Sequence, residues 1–406
     1  MELLLLQLVA LFRPLASIEL AAAFFVVLGV GLFGMLVVAL LANSATRKSL
    51  KFSAIDVVIA VFALWCLAIY VIYFESANIS DVAKLLIPML SYTVVKNVVR
   101  GPSDYEALLK WMLLGFAIPT VMSAALIVMG NGLDYTDYWT DALRYRGVYE
   151  GAHSLGHSMT LLLIVLMLYI GFRGPFATVG VKRRMLFEKL VFGAVVCLAL
   201  YCLYKSQVRS AIVGLAVFTA IYLNFMNRKL LLVGALGMGI VAILTWEVWL
   251  PDLSPEYGMM QKGQFEMEAL GSGRPRMWMN DISLFAALPI DQKIAGGGLG
   301  SVGKEVAGGK FLGHNDWLTI LTQTGLIGLL IFTALQVLIL KAILRMPGKE
   351  RYGFLALFVA VVIMMATSNS YAWRIQVSQL YYMVLAYIEV RDTQTVLSSR
   401  ATPVSS

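Results

Sequence analysis

IELAAAFFVVLGVGLFGMLVVALLA, residues 18–42, holds one charged side chain, Glu19, in 25 positions. An apolar helix of about 20 residues crosses the roughly 30 Å hydrocarbon core of a bilayer. Lipid offers no partners to backbone N–H and C=O groups, so a run of this kind must satisfy them internally, as a helix. Similar runs recur at 54–74, 82–99, 108–130, 154–172, 187–204, 210–224, 230–250, 315–340, 352–368 and 373–390. The pattern predicts an all-α polytopic membrane protein of about 11 or 12 transmembrane helices. Two runs are weak: 82–99 carries Lys84, Pro88 and Lys96, and 210–224 is short. Residues 1–12 are too short to span unless Arg13 and Pro14 extend them at the interface. With Glu2 where a secretory signal has a basic region, they do not read as a signal peptide.

Composition agrees with this reading. Of 406 residues, 60% are hydrophobic and 14% charged, whereas soluble domains carry about 25% charged residues. No compositional break divides the chain, so 1–406 reads as a single transmembrane domain. The net charge of +8 does not indicate nucleic-acid binding, because Lys and Arg collect in cytoplasmic loops for insertion reasons. Cys66, Cys197 and Cys202 sit inside apolar runs without metal or disulfide spacing. Trp65, Trp111, Trp139, Trp246, Trp249 and Trp373 lie near run ends and read as an interfacial belt.

One set of short loops holds nineteen Lys and Arg residues, including Lys48, Lys96, Arg183, Arg228 and Lys349. The opposite short loops hold five: Arg144, Arg146, Lys205, Arg209 and Arg374. The asymmetry assigns the first set to the cytoplasm. The other side then receives three polar segments: 131–153, the turn KSQVRS at 205–210, and one long loop at 251–313. Loops of that length in a compact protein are usually functional or disordered.

Arginines on the side poor in basic residues call for a partner. Arg209, at the mouth of a span, has two readings: a snorkelling interfacial residue, or one of a set with Arg146, Arg274 and Arg276 that converges on an anion. Guanidinium groups bind phosphate oxygens bidentately and stay charged at any working pH, so a lipid-linked diphosphate fits such a set. His314, at the junction of loop and span, reads either as an interfacial polar residue or as a general base, with Asn315 beside it to orient the ring or bind an acceptor. His153 and His157 have i,i+4 spacing, but Ser154 stands where a zinc-binding HExxH needs Glu, so no metal is expected. Gly298, Gly303 and Lys304 satisfy GxxxxGK, but Glu305 replaces the Ser or Thr a P-loop requires.

These motifs, in this order, resemble the O-antigen ligase and O-antigen polymerase superfamily of bacterial envelopes. SQVRSA at 206–211 resembles its SR-type turn, GRPRMW at 273–278 its GR-x-x-x-W element, and 297–300 its glycine turn. His314, Asn315, Gly325 and Gly328 fit the ligase pattern H-N, nine residues, G-x-x-G. Arg146–Gly147 resembles an upstream RG element, although Ala152–His153 replaces the usual Pro-Asn. The resemblance implies a cofactor-free, metal-independent glycosyltransferase of the bacterial inner membrane with its active site facing the periplasm. It would move an undecaprenyl-diphosphate-linked glycan onto lipid A–core (a ligase) or onto another lipid-linked glycan (a polymerase). Arginines would hold the leaving diphosphate and His314 would activate the acceptor hydroxyl. A transporter or flippase is the alternative of a different class, but such proteins usually place ionisable groups at mid-span, and here they gather at one face.

Overall fold

A computed structural model describes residues 1–19, 22–46, 50–73, 79–136, 143–173, 186–244, 254–261, 263, 273–301, 305–306, 309–310, 313–346, 348–368 and 374–390. Gly303 and Lys304 of the GxxxxGK match, and Trp139, Trp246, Trp249 and Trp373 of the expected belt, lie outside them.

Helices dominate. In chain order they are α1 (Glu2–Leu15), α2 (Ala22–Thr46), α3 (Ala54–Ile72), α4 (Ile79–Val98), α5 (Pro102–Val128), α6 (Ala152–Phe172), α7 (Leu186–Ser206), α8 (Arg209–Met226) and α9 (Arg228–Leu244). There follow α10 (Pro255–Gln261), α11 (Arg274–Ala287), α12 (Ile290–Ala295), α13 (Asp316–Arg345), α14 (Glu350–Thr367) and α15 (Ile375–Leu385). A small antiparallel hairpin, β1 (Leu133–Thr136) with β2 (Leu143–Tyr145), precedes α6, and a shorter one, β3 (Glu305–Val306) with β4 (Gly309–Lys310), precedes α13.

Seven described helices are long and apolar enough to cross a membrane: α2, α3, α5, α6, α8, α13 and α14. The expectation of 11 or 12 is thus met in kind, and in number only as far as these seven. The others fall short for visible reasons: α4 carries charge, α15 runs only to Leu385 before a turn, and α1, with 14 residues, is about 21 Å long. The surface is inverted relative to a soluble protein. Phe24, Val27, Val38, Leu64, Val71 and Leu330 are all exposed, as a lipid-facing belt requires. Helix α6 stands at the centre, with 89% of its apolar window buried, against 28% for α2.

Small residues set the closest approaches. Gly115 lets α5 lie against the Leu11 backbone of α1, and Gly214 lets α8 lie against Met364 of α14. The interval 251–313, expected as a loop poor in apolar runs, carries α10, α11 and α12. Their polar composition hid them from a reading tuned to membrane-length helices.

Two positions depart from regular membrane-helix structure. Lys96 does not lie in a basic loop. It is buried in the last turn of α4, ion-paired with Asp56 of α3 and, at 2.7 Å, with Glu389 beyond α15, and it donates to Ser53 Oγ at 3.1 Å. A buried lysine needs such partners because isolated charge is costly in a low-dielectric interior. Without Lys96 the basic asymmetry still points the same way.

The second is Gly325, inside α13, whose φ of 69° breaks the helix. The turn 296–300 fills the break: Gly297 N donates to Thr322 O at 2.8 Å, and Tyr73 Oη and Trp65 Nε1 donate to Gly296 O and Thr324 O, each at 2.9 Å. A Cβ at Gly325 would meet the backbone of residues 294–296. Gly325→Ala is therefore expected to destabilise the protein by about 3 kcal/mol, read as a fall in thermal unfolding temperature in detergent. An unchanged temperature would show that the turn moves away freely.

Candidate functional site

Helix starts build the site. α6 opens with His153, and its second turn carries His157, four residues on and therefore on the same face. The two rings stack with centroids 6.2 Å apart. Gly156 lies between them in sequence, and its missing side chain leaves room for Ser206 and Val208 of the turn before α8. That turn bends through Gln207 at φ 51° and sets Ser210 Oγ 3.3 Å from His157 Nε2.

α11 presents a single face by its spacing. Arg274, Trp278 and Asp281, at i, i+4 and i+7, all reach inward. Arg274 donates to Thr367 O at the end of α14, Trp278 Nε1 donates to His314 O at 3.3 Å, and the buried Asp281 accepts from Gly313 N at 2.9 Å. Arg276, two residues from Arg274, is exposed. The GR-x-x-x-W element is thus a clamp on the segment that carries the histidine.

His314 itself has φ 62°, after Gly313 at 73°. Left-handed backbone is uncommon for a residue with a Cβ, and such strain clusters at functional sites. Here two hydrogen bonds from α11 hold it. Asn315 ends the bend as N-cap of α13: its Oδ1 accepts from Trp317 N at 2.9 Å and Leu318 N at 3.2 Å, and its Nδ2 donates to Ala366 O at 2.9 Å. Its amide is largely committed to local structure, so it fixes the His314 segment in place. Asp316 is fully buried and within electrostatic reach of Arg374.

Arg374, immediately before α15, completes the arrangement. It acts electrostatically on His153, His157 and His314, as Arg274 does; Arg144 also acts on His153. The acidic groups that act on Arg374 are Asp316, Glu150 and Asp134. Arg374 Nε, His153 Nδ1 and His157 Nδ1 are buried and have no hydrogen-bond partner among the described residues. Arg374 lines a small cavity with Ser17, Glu150, Ser154, Ser158, Gln376 and Val377. Burial, then Arg274 and then Arg374 hold the His314 imidazolium below its usual pKa of 6.5, so the ring is neutral at pH 7.

The candidate residues therefore divide. Arg274 and His314 stand together. Arg146 is ion-paired with Glu19 at 2.7 Å, and Arg209 is held by both carboxylate oxygens of Glu256, at 3.1 and 3.0 Å. Of the neighbours Arg144 and Arg146, it is Arg144 that is buried. Arg374 was counted in the sequence only as a topological charge. The argument applied to Arg209, an arginine on the side poor in basic residues, applied to it equally. Among the described residues no three His, Cys, Asp or Glu side chains group as metal ligands do.

Chemically, the arrangement offers at least two guanidiniums, a neutral imidazole and the starts of α6, α11, α13 and α15. Helix N-termini carry partial positive charge and free N–H groups, so they favour an anion at this end of the bundle. No family model and no curated protein matches the chain.

Proposed function

We propose that the protein is a membrane glycosyltransferase that moves a glycan from a lipid-linked diphosphate, undecaprenyl diphosphate in a bacterial inner membrane, to the hydroxyl of an acceptor sugar. The observation that carries the reading is that Arg274 and Arg374, both half-buried, act electrostatically on the half-buried His314 and on the histidines at the start of α6. In the reaction, the acceptor oxygen attacks the anomeric carbon and the bond from that carbon to the diphosphate oxygen breaks. The hydroxyl proton passes to the neutral ring of His314. The electron pair leaves with the diphosphate, and Arg274 and Arg374 stabilise the charge that develops there. The donor is already activated, so no nucleotide is consumed. The arginines supply the positive charge that a divalent metal would otherwise bring.

The spacing from His314 and Asn315 to Gly325 and Gly328 favours a ligase that uses lipid A–core as acceptor. In this reading the His314 end faces the periplasm, in keeping with the basic asymmetry of the loops, and α4, α7, α9 and α15 complete an eleven-span bundle.

The test is reconstitution. Full-length protein in nanodiscs, given undecaprenyl-diphosphate-linked glycan and lipid A–core, is expected to form the glycosylated acceptor without nucleotide and in the presence of EDTA. No transfer to lipid A–core or to a second lipid-linked glycan would overturn the proposal. Activity lost with EDTA and restored by one divalent ion would overturn its metal independence and make His153 and His157 candidate ligands.

A further inference from the structure

The opposite end of the bundle holds a second feature that glycan transfer does not use. Where α13 ends, 30 residues along the helix from Asp316, a groove of about 290 Å³ opens between α3, α13 and the segment after α15. Ser53, Ile55, Leu338, Lys341, Arg345 and Glu389 line it. Lys341 and Arg345 are four residues apart and so share a face of α13; both are exposed. Around them the surface is apolar and open: Phe52 is 70% exposed, Val57 59% and Leu344 53%. Phe52 and Leu344 each directly precede a lining residue, Ser53 and Arg345.

Its charge is not balanced. Glu389 is the one carboxylate in the lining, and its Oε2 is ion-paired with Lys96 at 2.7 Å. Lys96 and Asp56, next to Ser53, fix that carboxylate inside the bundle. Lys96 is balanced by Asp56, so Lys341 and Arg345 against Glu389 leave the described lining with one positive charge in excess. A zwitterionic headgroup adds no net charge to meet that excess. A headgroup with one net negative charge neutralises it.

We propose that this groove binds an anionic phospholipid, with the phosphate between Lys341 and Arg345 and the acyl chains along Ile55, Leu338 and the exposed apolar flank. Basic pockets between spans are a recurrent way of holding anionic headgroups. The buried Lys96 cluster gives the groove a rigid wall, because it ties α3, α4 and the segment after α15 together.

The test is native mass spectrometry of the full-length protein in detergent, with equimolar phosphatidylglycerol and phosphatidylethanolamine of identical chains. Phosphatidylglycerol is expected to be retained in preference. Lys341→Gln/Arg345→Gln is expected to weaken its retention about thirty-fold, roughly fivefold for each charge. Lys341→Arg/Arg345→Lys keeps both charges and is expected to keep the preference. Equal retention of the two lipids by the unaltered protein would overturn the proposal. So would a preference that survives the glutamine pair, or one that is lost in the charge-preserving pair. None of these readouts depends on glycan transfer.

Discussion

Arg274→Ala and Arg374→Ala are each expected to lower glycan transfer by about 10²–10³-fold, the usual cost of removing one preorganised partner of a developing charge. Both side chains act on His314, and both stand at helix starts. Lysine at either position is expected to restore transfer only in part, because an ammonium group lacks the planar fork that engages two phosphate oxygens. Arg276→Ala, at an exposed position, is expected to stay within a few-fold of the unaltered protein. Arg209 and Arg146 stand apart as ion-paired residues, so their alanine variants test whether those pairs open on substrate binding. The measurement is transfer at equal amounts of folded protein, judged by gel filtration in detergent. Near-normal transfer in both Arg274→Ala and Arg374→Ala would remove the diphosphate clamp.

The second large effect concerns His314. His314→Gln is expected to cost about 10²–10⁴-fold, the range for loss of a general base. The pH profile is the discriminating readout. Burial and the two arginines depress the His314 pKa, so the neutral, active form persists below the ordinary histidine range. Transfer by the unaltered protein should therefore hold through neutral pH and fall only on the acid side of 6.5. Removing positive charge nearby raises the pKa. In the residual activity of Arg374→Gln, the acid limb should accordingly move toward neutral pH. A His314→Gln variant that keeps most of its activity and the same acid limb would make the histidine a structural residue held by Trp278.

The class of fold was legible from residues 18–42 and their repeats, because apolar length is a direct signature of membrane spans. Helix α13 and the start of α8 were legible for the same reason. What stayed hidden depends on three-dimensional placement. Nothing in a single sequence indicates that Lys96 finds Asp56 and Glu389, so a buried charge cluster looked like a loop. The short helices between 254 and 295 lack an apolar period. Within the candidate site, Arg274 and His314 could be chosen from residue type and boundary position. The choice between Arg274 and Arg276 needed the face of α11, and that between Arg144 and Arg146 needed the folded placement of each, one buried and one paired with Glu19. Arg374 was missed because a lone basic residue in a short segment carries no motif.

The pairing of Lys96 with Glu389 also bears on how the chain is made. The two residues are separated by 293 positions. At roughly 5–20 residues per second of synthesis, the carboxylate follows the lysine by on the order of 15–60 s. During that interval α4, with Pro88 and two lysines, is a poor insertion signal. Asp56 leaves the ribosome first, 40 positions ahead of Lys96, and can escort it into the bilayer as a neutral pair. Glu389, made much later, then seals the arrangement. Released chains truncated before Glu389 should therefore hold α4 loosely and be cleared by membrane quality control, whereas truncation just after Val390 should leave a chain that persists.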